Sequence, residues 1–141
     1  MMHRRIFTCL LLGSLILVMV IYYGLYSPAP DFDQILRLSR LQFKVAPVVL
    51  GWETKDFSAL DADYSTTVEF RLSEEDAVQA TKCLGSGYQK GFYGEWTLPF
   101  KYSKPPMYGE EICIRRDNVN SGTSHSFMIY KDILVYDYSQ L

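Results

Sequence analysis

Residues 64–85, YSTTVEFRLSEEDAVQATKCLG, decide the fold because they contain a strand and a helix in direct succession. In the first half, Val68, Phe70 and Leu72 alternate with polar or charged side chains. This two-residue period is typical of a strand that lays one face against a core. The sequence therefore predicts a strand over residues 64–72.

A helix follows this strand without a loop. Ser73 is a favourable N-cap residue, and the three acidic side chains after it suit the positive end of a helix dipole. Small apolar side chains then recur at helical spacing as far as Leu84, and Gly85 is a typical C-terminal stop. We expect one main helix over residues 73–84, with a narrow stripe that lets it pack closely on a sheet.

The chain beyond this helix alternates in the manner of antiparallel strands. The candidate strands are residues 96–102, 111–116, 124–130 and 133–138, of which the last two form a hairpin about Lys131-Asp132. Pro99 marks the first of them as an edge strand or a bulge. A strand, one helix and four strands predict an α+β fold with a mostly antiparallel sheet and a C-terminal β-hairpin.

The segment before residue 64 is less regular. Residues 35–40 have the spacing of a short amphipathic helix, and residues 41–45 alternate like a strand. Pro47 and Gly51 interrupt the pattern that follows. Because no basic face accompanies the apolar positions, we expect core packing here rather than a role at a membrane surface.

Residues 6–26 carry no charge, follow Arg4-Arg5 and precede a Pro-rich, acidic stretch. As a helix, this length matches the hydrocarbon core of a bilayer, and the two arginines place the N-terminus in the cytoplasm. The sequence thus predicts four parts. They are a cytoplasmic N-terminus at 1–5, a transmembrane signal-anchor helix at 6–26, a stalk at 27–34 and an exported α+β domain at 35–141.

This topology predicts a single-pass protein of a bacterial inner membrane, with its C-terminal domain in the periplasm. The chain has no Asn-x-Ser/Thr acceptor site, which favours a bacterial compartment over a eukaryotic lumen. The alternative is a cleaved secretory signal with Ser27-Pro28-Ala29 as its processing site. The long apolar run and the following Pro30 disfavour cleavage, and both alternatives export the domain.

Two cysteines, Cys83 and Cys113, lie outside the apolar N-terminal segment. An oxidising compartment would pair them. Because no Cys-x-x-Cys spacing is present, a structural disulfide is favoured over a redox site. We expect this bond to join the end of the main helix to the strand at 111–116.

The sequence offers little chemistry for catalysis. His125 is the only histidine beyond residue 3, so a zinc site with several histidines is excluded and histidine catalysis depends on this one side chain. The glycines between 85 and 94 lack a lysine in the place that a phosphate loop requires, and residues 61–72 lack the glycine and glutamate of a calcium loop. We therefore predict no catalytic residue, no metal and no cofactor.

Aromatic side chains are concentrated between the two cysteines. Four of them fall on predicted loops, where a small core hides them poorly: Tyr88, Phe92, Tyr93 and Tyr108. Aromatic loops on a rigid scaffold are typical of protein-binding surfaces, so these four are the predicted partner-binding residues. The alternative is that they only cover the core.

Together these features predict a non-catalytic, membrane-anchored periplasmic domain that binds another protein of the periplasm or envelope. An immunity protein against a periplasm-acting toxin fits the small size, the disulfide and the mild acidity. The alternatives are an accessory or structural component of an envelope or secretion assembly and, third, a small periplasmic hydrolase. A net charge of −2, with no basic run after the N-terminus, argues against nucleic acid as the partner.

Overall fold

The computed structural model describes residues 11–21, 29–56, 64–84, 87–120 and 122–140. They form an α+β fold with three helices and one six-stranded antiparallel sheet, which confirms the predicted fold class. After an N-terminal helical segment at 11–21, the elements are α1 (Phe32–Leu38), β1 (Val48–Asp56), β2 (Tyr64–Arg71), α2 (Glu74–Ala80), β3 (Gln89–Phe92), β4 (Glu111–Asn120), β5 (Thr123–Tyr130) and β6 (Ile133–Gln140). The strands lie side by side in the order β1-β2-β6-β5-β4-β3.

β2 and α2 correspond to the predicted strand and main helix. Ser73 is the N-cap of α2, and its hydroxyl oxygen accepts a hydrogen bond from the backbone N–H of Asp76 at 3.2 Å. The helix ends at Ala80, before its predicted end. The chain then turns through Cys83, which adopts the left-handed conformation with φ 53°.

The C-terminal hairpin is confirmed, with its turn at Lys131-Asp132 as predicted. Lys131 has φ 53°, the left-handed conformation that tight hairpin turns require. Along the two strands the pairing runs without a register shift from Thr123 opposite Gln140 to Tyr130 opposite Ile133. The hairpin occupies the centre of the sheet, because β4 pairs with the outer side of β5 and β2 with the outer side of β6.

Both faces of the sheet are covered. On one face, α1 and α2 pack over a core that contains Ile35, Phe70, Ala77, Phe127 and Leu134. On the other face, irregular chain between β3 and β4 packs over a second core that contains Leu98, Ile112, Met128, Val135 and the partly buried Phe100. Neighbouring residues of the central strands are therefore buried on opposite sides.

The predicted strand at 41–45 is wrong. These residues have no strand partner, and the side chain of Asp76 satisfies the backbone donors of the last two of them. Its carboxylate accepts hydrogen bonds from the N–H groups of Lys44 at 2.9 Å and Val45 at 3.2 Å. A side-chain acceptor thus takes the place of a neighbouring strand.

The predicted strand at 96–102 is also wrong, for a similar reason. This segment is irregular, and the fully buried Glu69 accepts hydrogen bonds from the backbone N–H groups of Lys101 and Tyr102. The Ser103 hydroxyl donates to the same carboxylate at 2.6 Å. The segment therefore lies across the face of the sheet instead of extending its edge.

The two edge strands, β1 and β3, were not predicted. Gly51 does not interrupt the chain but lies within β1, where the pairing with β2 shifts register between Val49 and Gly51. Such a β-bulge keeps the strand paired on both sides of the irregularity. The ring of Tyr102 lies against this glycine, and a Cβ at Gly51 would come within 2.6 Å of its carbon atoms.

The prediction of a single-pass inner-membrane protein with a periplasmic domain is wrong: no helix within the described residues is long and apolar enough to cross a membrane. Residues 11–21 of the predicted 6–26 anchor are helical. The rest of that anchor and the predicted cytoplasmic residues 1–5 lie outside the described residues, as do 27–28 of the predicted stalk. Residues 32–34 of that stalk belong to α1.

Candidate functional site

The predicted disulfide is present. Cys83, in the turn after α2, is bonded to Cys113 on β4, and their Cα atoms are 5.5 Å apart. This separation lies within the usual range for a disulfide. The bond fastens the end of α2 to the sheet, immediately before the chain enters β3 and the predicted partner-binding residues.

The four predicted partner-binding residues do not form one surface. Tyr88 is only 7% exposed, and its hydroxyl donates to the carbonyl oxygen of Ser39 at 3.0 Å. Its burial removes it from any contact surface. Tyr93 is half-buried, with its ring edge-on to Phe100 at a centroid distance of 6.0 Å. Phe92 and Tyr108 are 51% and 87% exposed.

Two adjoining turns extend the β3–β4 pair at the edge of the sheet. The N–H of Tyr93 donates to the carbonyl oxygen of Glu110 at 2.9 Å, and the N–H of Gly109 donates to the carbonyl oxygen of Tyr93 at 2.8 Å. These bonds join the turn at 93–96 to the turn at 107–110. Side chains from distant parts of the sequence therefore meet at this end of the sheet.

Gly94 allows the two turns to approach each other. It has φ 112°, which side-chain-bearing residues rarely adopt, and the ring of Tyr108 lies where a Cβ would stand. Tyr108 thus rests against backbone while the rest of its ring faces solvent. A substitution at Gly94 would strain the turn and displace the ring.

Two exposed residues that the sequence analysis did not select lie near Phe92 and Tyr108 at this end of the sheet. Trp96 is 40% exposed, and the guanidinium of Arg116 lies 5.3 Å from its ring centroid, within the range of a cation–π contact. Met107 is 67% exposed and directly follows Pro105-Pro106. The glycines around Trp96 and this proline pair were the available signals for exposed turns. We call Phe92, Trp96, Met107 and Tyr108 the aromatic edge.

Glu110 holds the second turn of the aromatic edge in place. Its carboxylate accepts the hydroxyl of Tyr130 at 2.5 Å and the backbone N–H of Met107 at 2.7 Å. These two hydrogen bonds hold the pKa of Glu110 below its usual value, and the bond from Tyr130 has the larger effect. The turn is therefore tied to the centre of the sheet through β5.

Arg115 is a buried cation that joins β4 to α1. Its guanidinium donates to the carbonyl oxygens of Leu38 at 2.9 Å and Ser39 at 2.8 Å, and it is paired with Asp117. The hydrogen bond from Arg115 lowers the pKa of Asp117. Because its donors are committed to these partners, we assign Arg115 a structural role.

His125 lies on the same face of the sheet as Arg115, and it is directly opposite Asp117 in the strand pairing. Its Nδ1 is 2.8 Å from the hydroxyl of Tyr136, and its ring lies 5.0 Å from that of Tyr138. Burial lowers the pKa of His125, so the ring is neutral at neutral pH. Cys113, its possible nucleophilic partner, is held in the disulfide, so the two do not form a Cys–His pair.

Within the described residues, exposed apolar side chains and possible metal ligands can both be located. Within the described ranges, no three His, Cys, Asp or Glu side chains lie close enough together to hold a metal ion. Beyond the helical residues 11–21, whose apolar side chains are also exposed, the aromatic edge places four exposed large apolar side chains at turns that are joined by backbone hydrogen bonds. No protein-family model, curated protein or solved structure matches the chain.

Proposed function

We propose that this domain is a non-catalytic protein-binding module and that the aromatic edge is its contact surface. The observation that carries the proposal is the exposure of Tyr108 and Met107 at the end of a rigid sheet. Tyrosine, tryptophan, phenylalanine and methionine are enriched in protein interfaces, and a few such anchors supply most of the binding energy. Scattered exposed apolar residues are ordinary, whereas here Trp96, Met107 and Tyr108 lie on two hydrogen-bonded turns, and Phe92 ends the strand that leads into the first of them.

Pre-organisation strengthens this proposal. Binding orders flexible side chains and loops at a cost in entropy, and a loop that is already fixed avoids much of that cost. Here Gly94 supports the ring of Tyr108, and Glu110 fastens the turn that carries Met107. The backbone of these turns can therefore stay in place when the surface contributes its apolar area.

The function can take two forms. An inhibitor, such as an immunity protein that blocks a toxin, would bind the partner and abolish its activity. An accessory component of an assembly would bind without inhibiting. A hydrolase is less well supported, because the disulfide removes Cys113 as a nucleophile and the carboxylate of Glu110 is engaged by Tyr130 and Met107.

Site-specific crosslinking tests the proposal. A benzophenone amino acid at Tyr108 should trap a defined partner protein in the cells that produce this chain. The same group at Val78, which is exposed on α2, is the control and should trap none. The same crosslinked species from both positions, or none from Tyr108, would contradict the assignment of the contact surface.

The partner identified in this way can then be titrated with purified variants. Tyr108→Ala and Phe92→Ala should each weaken binding by at least about 2 kcal/mol, roughly thirtyfold in Kd, because interface anchors carry such energies. Val78→Ala should bind like the wild type. Unchanged affinity in both aromatic variants would overturn the proposal, and the partner's activity in the complex separates an inhibitor from an accessory component.

A further inference from the structure

A cleft of about 530 Å³ lies between α1 and the end of the sheet that is farthest from the aromatic edge. Its walls include Asp31 and Gln34 at the start of α1, and Tyr64 and Tyr138 on β2 and β6. The volume is that of a site for a small ligand. The aromatic edge and this cleft lie at opposite ends of β4, about 30 Å apart along the strand.

Strand register brings four aromatic rings to this cleft. Tyr138 pairs directly with His125 on β5, so both side chains project from the same face. The ring of Tyr138 lies 5.2 Å from that of Tyr64 and 5.0 Å from that of His125, and both pairs are tilted, at 47° and 43°. Tyr136, two residues earlier on β6, is buried on the same face and also lines the cleft.

The formal charge on the described lining residues of the cleft is negative. Among its described lining residues, Asp31 is the only one with a formal charge at neutral pH, since His125 is neutral there. One Asp31 oxygen accepts the backbone N–H of Gln34 at 2.9 Å. The carboxylate remains a site of negative charge beside π-faces, whose quadrupoles also favour cations.

We propose that this cleft binds a small organic cation whose alkylated ammonium group lies against the tyrosine rings and is balanced by the Asp31 carboxylate. An anion would meet a carboxylate with no lysine or arginine among the described lining residues. A divalent metal prefers several oxygen ligands of high charge, and the described lining residues include only one carboxylate. An alkylated ammonium group needs neither a cationic side chain nor several carboxylates. It binds to aromatic faces with one negative charge nearby.

Calorimetric titration of the full chain with choline tests this proposal. The matched probe is 3,3-dimethylbutanol, which has the same shape but a carbon in place of the charged nitrogen. We expect choline to bind roughly tenfold more tightly than the alcohol, because the charge is what the rings and Asp31 recognise. Equal affinities would overturn the proposal and indicate an apolar or polyol site, and no binding of choline would also overturn it.

A second set of titrations distinguishes the sources of the ammonium group. Glycerophosphocholine carries the same group on a phosphodiester, as a lipid headgroup does. Tighter binding of choline would identify a free cation, and tighter binding of glycerophosphocholine would identify a headgroup. Either result supports the site, provided that the neutral alcohol binds more weakly than both.

Two matched pairs of variants assign the residues. Asp31→Asn keeps a good N-cap for α1 but removes the charge, and should weaken choline binding about three- to tenfold, whereas Asp33→Asn on the same turn should not. Tyr138→Leu should weaken choline binding by a similar factor, whereas Tyr138→Phe, which keeps the ring, should not weaken it. Circular dichroism checks that each variant is folded. Choline binding that is unaffected by both Asp31→Asn and Tyr138→Leu would overturn the assignment of the cleft.

Discussion

Asp76 is a buried carboxylate that connects irregular chain to a helix. It accepts the backbone N–H groups of Lys44 and Val45 and the hydroxyl of Ser73 at 2.8 Å. These bonds, of which the one from Lys44 is the largest cause, lower its pKa against the opposing effect of burial. A carboxyl whose pKa is lower in the folded state stabilises the fold while it is charged, and this contribution is lost as the pH falls through the folded pKa.

Asp76→Asn should therefore change stability in a pH-dependent manner. At neutral pH we expect a loss of about 1–3 kcal/mol in the free energy of unfolding, because bonds to a buried charged acceptor are weakened. The difference from the wild type should shrink as the pH falls below about 3.9, the ordinary aspartate pKa, and through the lower pKa that Asp76 has in the folded state. Urea unfolding followed by tyrosine and tryptophan fluorescence measures this difference at each pH.

Asp137 provides a control of opposite sign. It accepts the hydroxyl of Thr67 at 2.7 Å, but burial raises its pKa. Its contribution to stability is therefore present at low pH and declines as the pH rises. The free energy of unfolding of the wild type minus that of Asp137→Asn should accordingly decrease from acidic to neutral pH. If both variants follow the wild-type pH dependence in parallel, the cited hydrogen bonds and burial do not control these pKa values.

Glu69 illustrates a limit of sequence reasoning at the scale of one residue. Alternation along β2 places it opposite Val68 and Phe70, on the side expected to face solvent. It is fully buried because residues 98–103 cover that side and donate their hydrogen bonds to it. Local alternation predicts which residues share a face, but not whether a distant segment covers the other one.

At the scale of elements, the disulfide compensates for short secondary structure. α2 has only seven residues, a length at which an isolated helix is unstable in water. Its apolar stripe is made of small side chains, of which Ala77 and Ala80 reach the core. The bond from Cys83 to Cys113 adds a covalent constraint across a separation of 30 residues.

Cys83→Ser should lower the free energy of unfolding by about 2–5 kcal/mol, the usual cost of losing a disulfide from a small domain. Urea unfolding with and without reductant measures this cost. Reduced wild type should resemble Cys83→Ser, and reductant should not affect the double variant with Cys113→Ser. Peptide mapping without reduction that finds both thiols free would contradict the bond.

The elements that the sequence predicted are those whose pattern is set locally. The strand β2 has a regular two-residue period, and the helix α2 begins at a serine cap. The C-terminal hairpin has a two-residue turn. The two strands predicted wrongly also alternate, but Asp76 and Glu69 satisfy their backbone donors from elsewhere in the chain. Periodicity cannot reveal such long-range acceptors.

The candidate site was also predictable only in part. Phe92 and Tyr108 are exposed as expected, and the cysteine pair was predicted because two cysteines lie beyond the N-terminal segment without Cys-x-x-Cys spacing. Tyr88 was misplaced because β3 pairs with β4 and presses its ring against the guanidinium of Arg115, 5.7 Å from the ring centroid. The cleft at Tyr138 depends on the register of three strands, which no single segment encodes.

At the scale of the whole molecule, α1 belongs to the folded domain whereas the helical residues 11–21 do not contribute to it. Every described side chain in 11–21 is exposed, and neither core contains one of them. α1, in contrast, contributes the buried Ile35, and the carbonyl oxygen of Ser39 just after it accepts hydrogen bonds from Tyr88 and Arg115. The boundary of the cooperative unit should therefore fall between these two helices.

Two truncations test this boundary. A chain without residues 1–28 should unfold within about 1 kcal/mol of the full chain, because the removed part includes no described core residue. A chain without residues 1–40 should lose at least about 4 kcal/mol, since removing α1 exposes the core beneath Ile35 and strips the buried Arg115 of two carbonyl acceptors. Ile35→Ala is the milder form of the second change, with an expected loss of about 2–4 kcal/mol. Urea unfolding measures all three, and equal stability of the two truncated chains would mean that α1 is not part of the cooperative fold.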